Sequence, residues 1–174
     1  MQTIREHLEG RYVDFERVRP LIDEEDRVAC FLLYNFSGQI VGKMQYRPDQ
    51  GKDRKNDEKY GKYYQYYTEG VMLPVWGLEY WHLSDTLFIC EGIFDAIRFI
   101  NRGYSAIAVF TTNPKPLRRW LQIITQNRKT VAICDAGKGG KLLAKYGKYS
   151  MIMEDDDPGS ATEEEITDII ERWK

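Results

Sequence analysis

The sequence predicts an α/β protein in which a parallel four-stranded sheet is flanked by helices and preceded by a β-rich N-terminal extension. Three observations favour this fold class. The C-terminal half alternates short, continuously apolar segments with helical segments, as parallel strands buried on both faces require. The N-terminal half instead contains two β-rich segments around a turn. The 174 residues, 43% of them hydrophobic, are enough to bury a sizeable core. We expect the extension to cover residues 1–84 and the α/β domain residues 85–174.

The extension begins with a short helical segment and continues as an antiparallel hairpin. Residues 28–35 (VACFLLYN) and 39–47 (QIVGKMQYR) are rich in β-branched and aromatic residues. Gly38 between them can adopt the positive φ of a hairpin turn. Residues 49–58 are charged and lack periodicity, so we expect a loop there.

Residues 59–67 combine five tyrosines with two lysines, and two interpretations of this segment stand side by side. Bases stack on aromatic rings while ammonium groups contact phosphates, so the composition suits a single-stranded nucleic acid. A strand with one buried tyrosine face has the same composition. Both interpretations can hold together.

The α/β domain consists of strands and helices in alternation. Apolar segments predict the strands, and apolar residues at spacings of three and four predict the helices. Gly103 and Gly147 close two of the helices, and Thr162 can cap the last one. Strands are expected at residues 86–90, 105–110, 130–134 and 149–153, and helices at 93–101, 116–126, 142–146 and after Thr162.

The charge is distributed unevenly along the chain. The formal net charge is −2, but residues 154–174 hold nine acids and two bases, which leaves residues 1–153 with 23 bases and 18 acids. A mildly basic body with an acidic end is compatible with a phosphate-containing partner. The charge alone does not require one.

The cysteines and the hydropathy pattern indicate a cytoplasmic protein. Cys30, Cys90 and Cys134 each lie in an apolar segment and lack CxxC spacing, which favours reduced, buried thiols over disulfides or zinc ligands. No segment approaches the roughly 20 apolar residues that cross a bilayer, and the N-terminus is charged where a signal peptide is apolar.

Acidic side chains follow several of the predicted strands. Glu91, Asp135 and the acids at 155–157 come directly after strands, and Asp95 lies one helical turn beyond Glu91. Ligands of doubly wound sheets meet the carboxyl ends of the strands, and Mg²⁺ or Mn²⁺ prefers carboxylate oxygens. The pattern therefore predicts a divalent-metal site. The alternative is that each acid only caps a helix or begins a turn.

The residues around Glu91 resemble a known family. Residues 91–96 (EGIFDA) resemble the glutamate motif of TOPRIM domains, the Rossmann-type metal-binding fold of topoisomerases, DnaG-type primases and certain nucleases. Residues 131–140 (VAICDAGKGG) lie where that family has a strand followed by Asp-x-Asp and a glycine. Asp157-Pro158 resembles the later Asp-Pro of the primase branch.

The resemblance extends upstream of the TOPRIM motifs. Residues 42–47 (GKMQYR), 62–65 (KYYQ) and 76–78 (WGL) resemble, in order and spacing, the segment that leads into TOPRIM in DnaG-type primases. The similarity thus extends from about residue 28 to about residue 170, and its upstream part favours a primase over a nuclease.

The resemblance implies a phage-like DNA primase that carries out metal-dependent nucleotidyl transfer, with Mg²⁺ or Mn²⁺ as cofactor. Its implied partners are single-stranded DNA, nucleotides, and a replicative helicase or another replisome subunit. Glu91 and Asp135 would be catalytic, and the metal ligands would be Glu91, Asp95, Asp135 and Asp157. Nucleic-acid or nucleotide contacts would come from Arg47, Lys62, Tyr63, Tyr64, Lys115, Arg118 and Arg119.

Two positions depart from the family pattern. Gly137 stands where the family has the second acid of Asp-x-Asp, and Gly159 stands where primases usually have an acid after Asp-Pro. These losses should weaken a second metal more than the first. They keep two alternatives open: a TOPRIM nuclease that uses metal-activated water, and a non-catalytic module that binds nucleic acid or a replisome protein.

Overall fold

The computed structural model describes residues 2–54, 56–154 and 157–174, and the chain divides into two compact units, Met1–Pro74 and Val75–Lys174. The sequence placed the boundary later, after residue 84. The difference arises because Trp76 joins the sheet of the second unit. Its backbone N–H donates to the Ala108 carbonyl at 3.1 Å, the Ala108 N–H donates back at 3.0 Å, and only 1% of Trp76 is exposed.

The first unit is a helix followed by an antiparallel sheet, with the strands in the order β1-β2-β3-β4. Its elements are α1 (Ile4–Glu9), β1 (Leu21–Asp23), β2 (Val28–Tyr34), β3 (Ile40–Tyr46) and β4 (Tyr63–Tyr67). The predicted hairpin is present as β2 and β3, where Phe31 pairs with Met44. Gly38 takes a φ of 76° in its turn.

Alternation along the strands gives the first sheet two different faces. Phe31, Leu33, Met44 and Tyr46 are buried, and Leu8 from α1 is buried as well. The residues between them are more exposed, because successive strand side chains point to opposite faces.

The second unit is a parallel sheet in the order β6-β5-β7-β8, and all three strand pairs are parallel. The predicted α/β fold is confirmed. The elements are β5 (Leu87–Cys90), α2 (Ile93–Ile100), β6 (Ser105–Ala108), α3 (Arg118–Asn127), β7 (Thr130–Cys134), α4 (Gly140–Leu143), β8 (Tyr149–Ile152) and α5 (Glu163–Trp173).

Right-handed crossovers distribute the helices over the two faces of this sheet. The chain moves from β5 to β6 through α2, and then in the opposite direction from β6 to β7 through α3. Accordingly, α2 packs with α5, while α3 packs with the 3₁₀ turn Ala144–Tyr146 that follows α4. Within the described part of the chain, no helix is long and apolar enough to span a membrane.

Two predicted helices contain 3₁₀ segments, and one strand is more exposed than expected. The helix predicted from residue 116 begins as the turn Lys115–Leu117, and the helix predicted to end at 146 is α4 followed by a turn. β8 lies at the end of the sheet, and none of its four residues is buried.

The core of the second unit includes three strands of its sheet, α2, and the buried residues Leu121 and Ile124 of α3. Every residue of β5, β6 and β7 is buried, and so is every residue of α2. Phe88 stacks on Phe99 with ring centroids 4.3 Å apart. Asp95 and Arg98 belong to this helix, and buried charges of this kind require hydrogen-bond partners.

Candidate active site

Glu91 lies immediately beyond the carboxyl end of β5, and its backbone is tied to the chain after β6. The Phe110 N–H donates to the Glu91 carbonyl at 2.8 Å, and the Val109 N–H donates to the Cys90 carbonyl at 3.0 Å. The backbone pairing thus continues beyond the two strands. Asp135 follows β7, the strand on the other side of β5. Two central strands therefore deliver an acid to the same edge of the sheet.

The predicted acids influence one another electrostatically. Burial raises the pKa of the Cys134 thiol to about 12, and the charges of Asp135 and Glu91 add to this effect. Burial likewise raises the pKa of Asp95 to about 8, with further contributions from Asp157 and Asp135. Asp135 acts on both groups, together with Glu91 on Cys134 and with Asp157 on Asp95, so these four predicted acids lie at one end of the second unit.

Asp95 is held by backbone hydrogen bonds to both of its carboxylate oxygens. Oδ2 accepts from the Gly92 N–H at 2.8 Å, at the start of α2. Oδ1 accepts from the Gly159 N–H at 2.9 Å, in the loop beyond β8. Only 7% of the residue is exposed. In this position Asp95 joins the Glu91 region to the segment that carries Asp157, and its role as a metal ligand stays a prediction.

Arg98 binds the backbone of Gly159 on the carbonyl side of the residue. Its Nη1 donates to the Gly159 carbonyl at 3.3 Å, and its Nη2 donates to Glu163 Oε1 at 2.8 Å. Arg98 is 0% exposed, and Arg102 also pairs with Glu163. One buried turn of α2 therefore binds both the N–H and the carbonyl of residue 159.

Glycine is required in the loop after Asp135. A Cβ at Gly140 would overlap the Asp135 carbonyl oxygen and lie 3.0 Å from the Cys134 Cβ. Gly137 has a φ of 92°, a conformation that L side chains rarely adopt. An acid at position 137 would therefore be strained in this loop, which explains locally why the second acid of the motif is not accommodated.

The donor set suits a hard divalent cation by its chemistry. Carboxylate oxygens are the ligands that Mg²⁺ and Mn²⁺ prefer. Burial is the main cause of the raised pKa of Asp95, and a cation would offset the smaller contribution from the charges of Asp157 and Asp135. Among residues 2–54, 56–154 and 157–174, no group of three His, Cys, Asp or Glu side chains is arranged to hold an ion. Asp155 and Asp156, which were also predicted to lie at this edge, are outside the described residues.

The three predicted basic residues of the second unit lie near the start of α3. Lys115, Arg118 and Arg119 are all exposed. Lys115 belongs to the 3₁₀ turn that precedes α3, and the two arginines begin the helix itself.

The predicted nucleic-acid residues of the first unit separate onto two faces. Tyr63 is the cross-strand partner of Tyr46, and the two rings lie 5.3 Å apart on the inner face. Tyr64 points to the opposite face, because it is the next residue of the strand. Lys62 lies opposite Arg47, whose N–H donates to the Lys62 carbonyl at 2.9 Å.

Lys43 and Tyr66 also lie on the outer face and were not singled out from the sequence. They are cross-strand partners, and Tyr66 is 50% exposed. The Lys43 Nζ lies 5.9 Å from the Tyr64 ring centroid. Lys43 lies two residues before Gln45, and Tyr66 lies two residues after Tyr64. Because alternate residues of a strand share a face, this spacing could have identified both residues from the sequence. The tyrosines of this segment are therefore divided between the two faces of the sheet, and binding of nucleic acid by the outer ones stays a prediction.

An antiparallel sheet followed by a parallel β6-β5-β7-β8 sheet, with acids at the strand ends, is the fold of TOPRIM-containing primase catalytic cores. A DnaG catalytic core matches with a TM-score of 0.74 and 15% identity, over 97% of this chain and 71% of that one. A DnaG primase catalytic domain bound to single-stranded DNA matches with a TM-score of 0.73 and 15% identity, over 99% and 72% of the two chains.

A phage protein has the same fold. The primase fragment of the bacteriophage T7 primase-helicase protein matches with a TM-score of 0.67 and 8% identity, over 95% of this chain and 72% of that one. No protein-family model and no curated protein matches the sequence. The resemblance to DnaG-type primases is therefore confirmed at the level of the fold.

Proposed function

We propose that this protein is a primase-like nucleotidyltransferase that synthesises primers on single-stranded DNA with a divalent cation, Mg²⁺ or Mn²⁺. One observation carries the proposal: Glu91 and Asp135 follow neighbouring central strands of a primase-type sheet, and both charges raise the pKa of the Cys134 thiol. Ligand sites of such sheets lie at this edge. The neighbouring structure with bound single-stranded DNA supports the choice of substrate.

Each acid has a distinct proposed role. Glu91 and Asp135 are the proposed catalytic carboxylates, and Asp157 is the proposed third ligand. A bound divalent cation supplies charge stabilisation for nucleotide phosphates at this position. Asp95 was predicted as a ligand too; because both of its oxygens already accept backbone hydrogen bonds, we propose that it mainly orients the Gly159 segment.

The proposed nucleic-acid surface of the first unit is the outer face of its sheet. Lys43 and Arg47 supply cations there, and Tyr64 and Tyr66 supply rings on which bases can stack. Lys62 contributes a further cation just before β4, where burial and the charges of Lys52 and Arg11 lower its pKa. The Arg47 Nη1 is buried and has no hydrogen-bond partner among the described residues. Tyr63 supports this surface from the inner face through its contact with Tyr46. A replicative helicase or another replisome subunit stays a predicted partner.

The decisive experiment is a primer-synthesis assay with single-stranded DNA, ribonucleotides and either Mg²⁺ or Mn²⁺. We expect the wild-type protein to extend oligonucleotides and Glu91→Gln to reduce the rate at least about 100-fold, as the loss of a charge-stabilising group does. Glu164→Gln is the matched control, because Glu164 is an exposed acid on α5. It should retain wild-type activity.

Three results would contradict this proposal. Cation-dependent cleavage of the template, lost in Glu91→Gln, would identify a TOPRIM nuclease. Tight DNA binding without synthesis or cleavage, alone or with a helicase, would identify a non-catalytic module. Equal activity of Glu91→Gln and the wild type would remove Glu91 from the reaction.

A further inference from the structure

A groove in the second unit carries basic side chains on both of its walls. One wall is formed by α3 and the turn before it, with Lys115 and Arg118. The other is formed by the turn Ala144–Tyr146, with Lys145. The groove has a volume of about 520 Å³, and every charged residue that lines it is basic. Lys145 is exposed and was not predicted to have a function.

These three cations are not paired with acids among the residues that the structure describes, whereas Lys43 pairs with Glu58 and Lys174 with Glu171. Like charges that line one concave surface raise the local concentration of anions. The groove is therefore electrostatically suited to a negatively charged ligand.

A side-chain hydrogen bond joins the two sides of the groove. The Tyr146 hydroxyl donates to Asn113 Oδ1 at 2.6 Å, and both residues line the groove. Asn113 lies in the loop after β6, two residues before Lys115, and Tyr146 directly follows Lys145. The bond therefore fixes the segments that carry the two lysines relative to each other.

The lining combines cations with apolar surface. Leu121 is buried beneath the groove, and Leu142, which is 38% exposed, lies in its wall together with Tyr146. We infer that this groove binds the sugar–phosphate backbone of a nucleic-acid strand, with Lys145 as one of its phosphate contacts. The phosphates meet the three cations, and the sugars and bases contact Leu142 and Tyr146. This inference rests on the proposed function and adds a second binding surface to it.

The test measures the affinity of the full chain for a fluorescently labelled single-stranded oligothymidylate at several salt concentrations. Lys145→Gln should lower the affinity roughly fivefold at low salt and reduce the slope of log affinity against log salt by about 0.7, since one phosphate contact is lost. Lys148→Gln is the matched control, because Lys148 is exposed three residues further on and does not line the groove. It should change the affinity by less than about twofold.

Tyr146→Phe provides a second variant that leaves the charge unchanged. It removes the bond to Asn113 and should weaken binding without changing the salt slope, because the number of phosphate contacts stays the same. Equal losses of affinity in Lys145→Gln and Lys148→Gln would mean that binding depends on the overall charge of the protein rather than on the groove. This result would overturn the inference.

A second arm uses a nucleoside triphosphate and inorganic pyrophosphate as ligands. If Lys145→Gln weakens their binding and leaves oligothymidylate binding unchanged, the groove holds free nucleotide rather than a strand, and the inference is wrong. A protein that binds the oligonucleotide through Lys145 but makes no primer would overturn the proposed catalytic function and leave this inference standing.

Discussion

The Gly159 N–H donates a hydrogen bond to Asp95 Oδ1 at 2.9 Å, across 64 residues of sequence. The carbonyl of the same residue accepts a hydrogen bond from Arg98, one helical turn beyond Asp95. Because Asp157 lies two residues before Gly159, α2 restrains the loop that carries this predicted ligand. This restraint on the loop can be tested separately from catalysis.

Replacing Arg98 by methionine should destabilise the fold and loosen the loop after β8. The change keeps an apolar stem of similar length but removes the hydrogen bonds to Gly159 and Glu163, which contribute about 1–3 kcal/mol together with the cost of unpaired groups. Hydrogen exchange measured by mass spectrometry should become faster at residues 157–160. Arg102→Met is the control, since Arg102 pairs with the same Glu163 but is not hydrogen-bonded to Gly159. Equal exchange in both variants would contradict the role of Arg98.

At about pH 3.5, replacing Asp95 by asparagine should destabilise the protein by about 1–3 kcal/mol. Burial raises the pKa of Asp95 to about 8, so at this pH the side chain is protonated in the folded state and largely protonated in the unfolded state, and ionisation contributes little. An amide has one acceptor oxygen, so either the Gly92 N–H or the Gly159 N–H loses its acceptor. The free energy of unfolding in urea provides the measurement. Asp168→Asn, at an exposed position of α5, makes the same chemical change and should stay within about 0.5 kcal/mol of the wild type. An Asp95→Asn protein as stable as the control would contradict a structural role for the two hydrogen bonds that the Asp95 oxygens accept.

Gly140→Ala should destabilise the second unit by about 1–3 kcal/mol, because the new methyl group overlaps the backbone carbonyl of Asp135. The free energy of unfolding should fall, and any cation affinity should fall with it, since Asp135 must move. Gly10→Ala is the comparison: its φ is −62° and the nearest atom to a Cβ there lies at 3.4 Å. A loss of stability in both variants alike would point to a general effect of removing glycine.

Cys90 and Cys134 should resist alkylation in the folded protein. Burial raises the pKa of the Cys134 thiol to about 12 and that of Cys90 well above its ordinary value, so the reactive thiolate is scarce at pH 8. Iodoacetamide labelling followed by mass spectrometry should detect both sites only after unfolding in guanidinium. Rapid labelling of Cys134 in the native protein would contradict its burial.

His7 should make the first unit less stable below about pH 6.5. Burial lowers its pKa in the folded state, and the positive charges of Arg11, Arg27 and Lys62 lower it further against the opposing effect of Asp49. The folded state then binds fewer protons than the unfolded state, so this stability is present above the unfolded pKa and is lost as the pH falls through the folded one. Its Nε2 lies 2.9 Å from the Tyr46 hydroxyl.

The measurement compares urea unfolding at pH 7.5 and pH 5 for the wild type and two variants. His7→Gln keeps a polar partner for Tyr46 without titrating, so it should lose less stability between the two pH values than the wild type. His82→Gln replaces the other histidine of the chain, which is exposed, and should behave like the wild type. The same pH dependence in all three proteins would exclude His7 as its source.

Local patterns in the sequence predicted much of the architecture. Four apolar segments followed by helical periodicity defined the parallel sheet, because strands buried on both faces lack polar alternation. The hairpin could be predicted because β-rich segments flank Gly38, which can adopt the positive φ of a turn. Element boundaries were less certain at residues 115–117 and 144–146, where 3₁₀ turns and α-helices share the same spacing of apolar residues.

The sequence by itself determined which acids follow the strands, since Glu91 and Asp135 are adjacent in the chain to the strand ends that position them. Only the tertiary structure decided what more distant residues do. Asp95 and Gly159 meet because α5, which follows residue 159, packs on α2. Tyr63 and Tyr64 separate because the sheet has one buried face, and Lys145 joins Lys115 because two turns form one groove. These relationships depend on contacts between segments far apart in sequence, and no local periodicity encodes them.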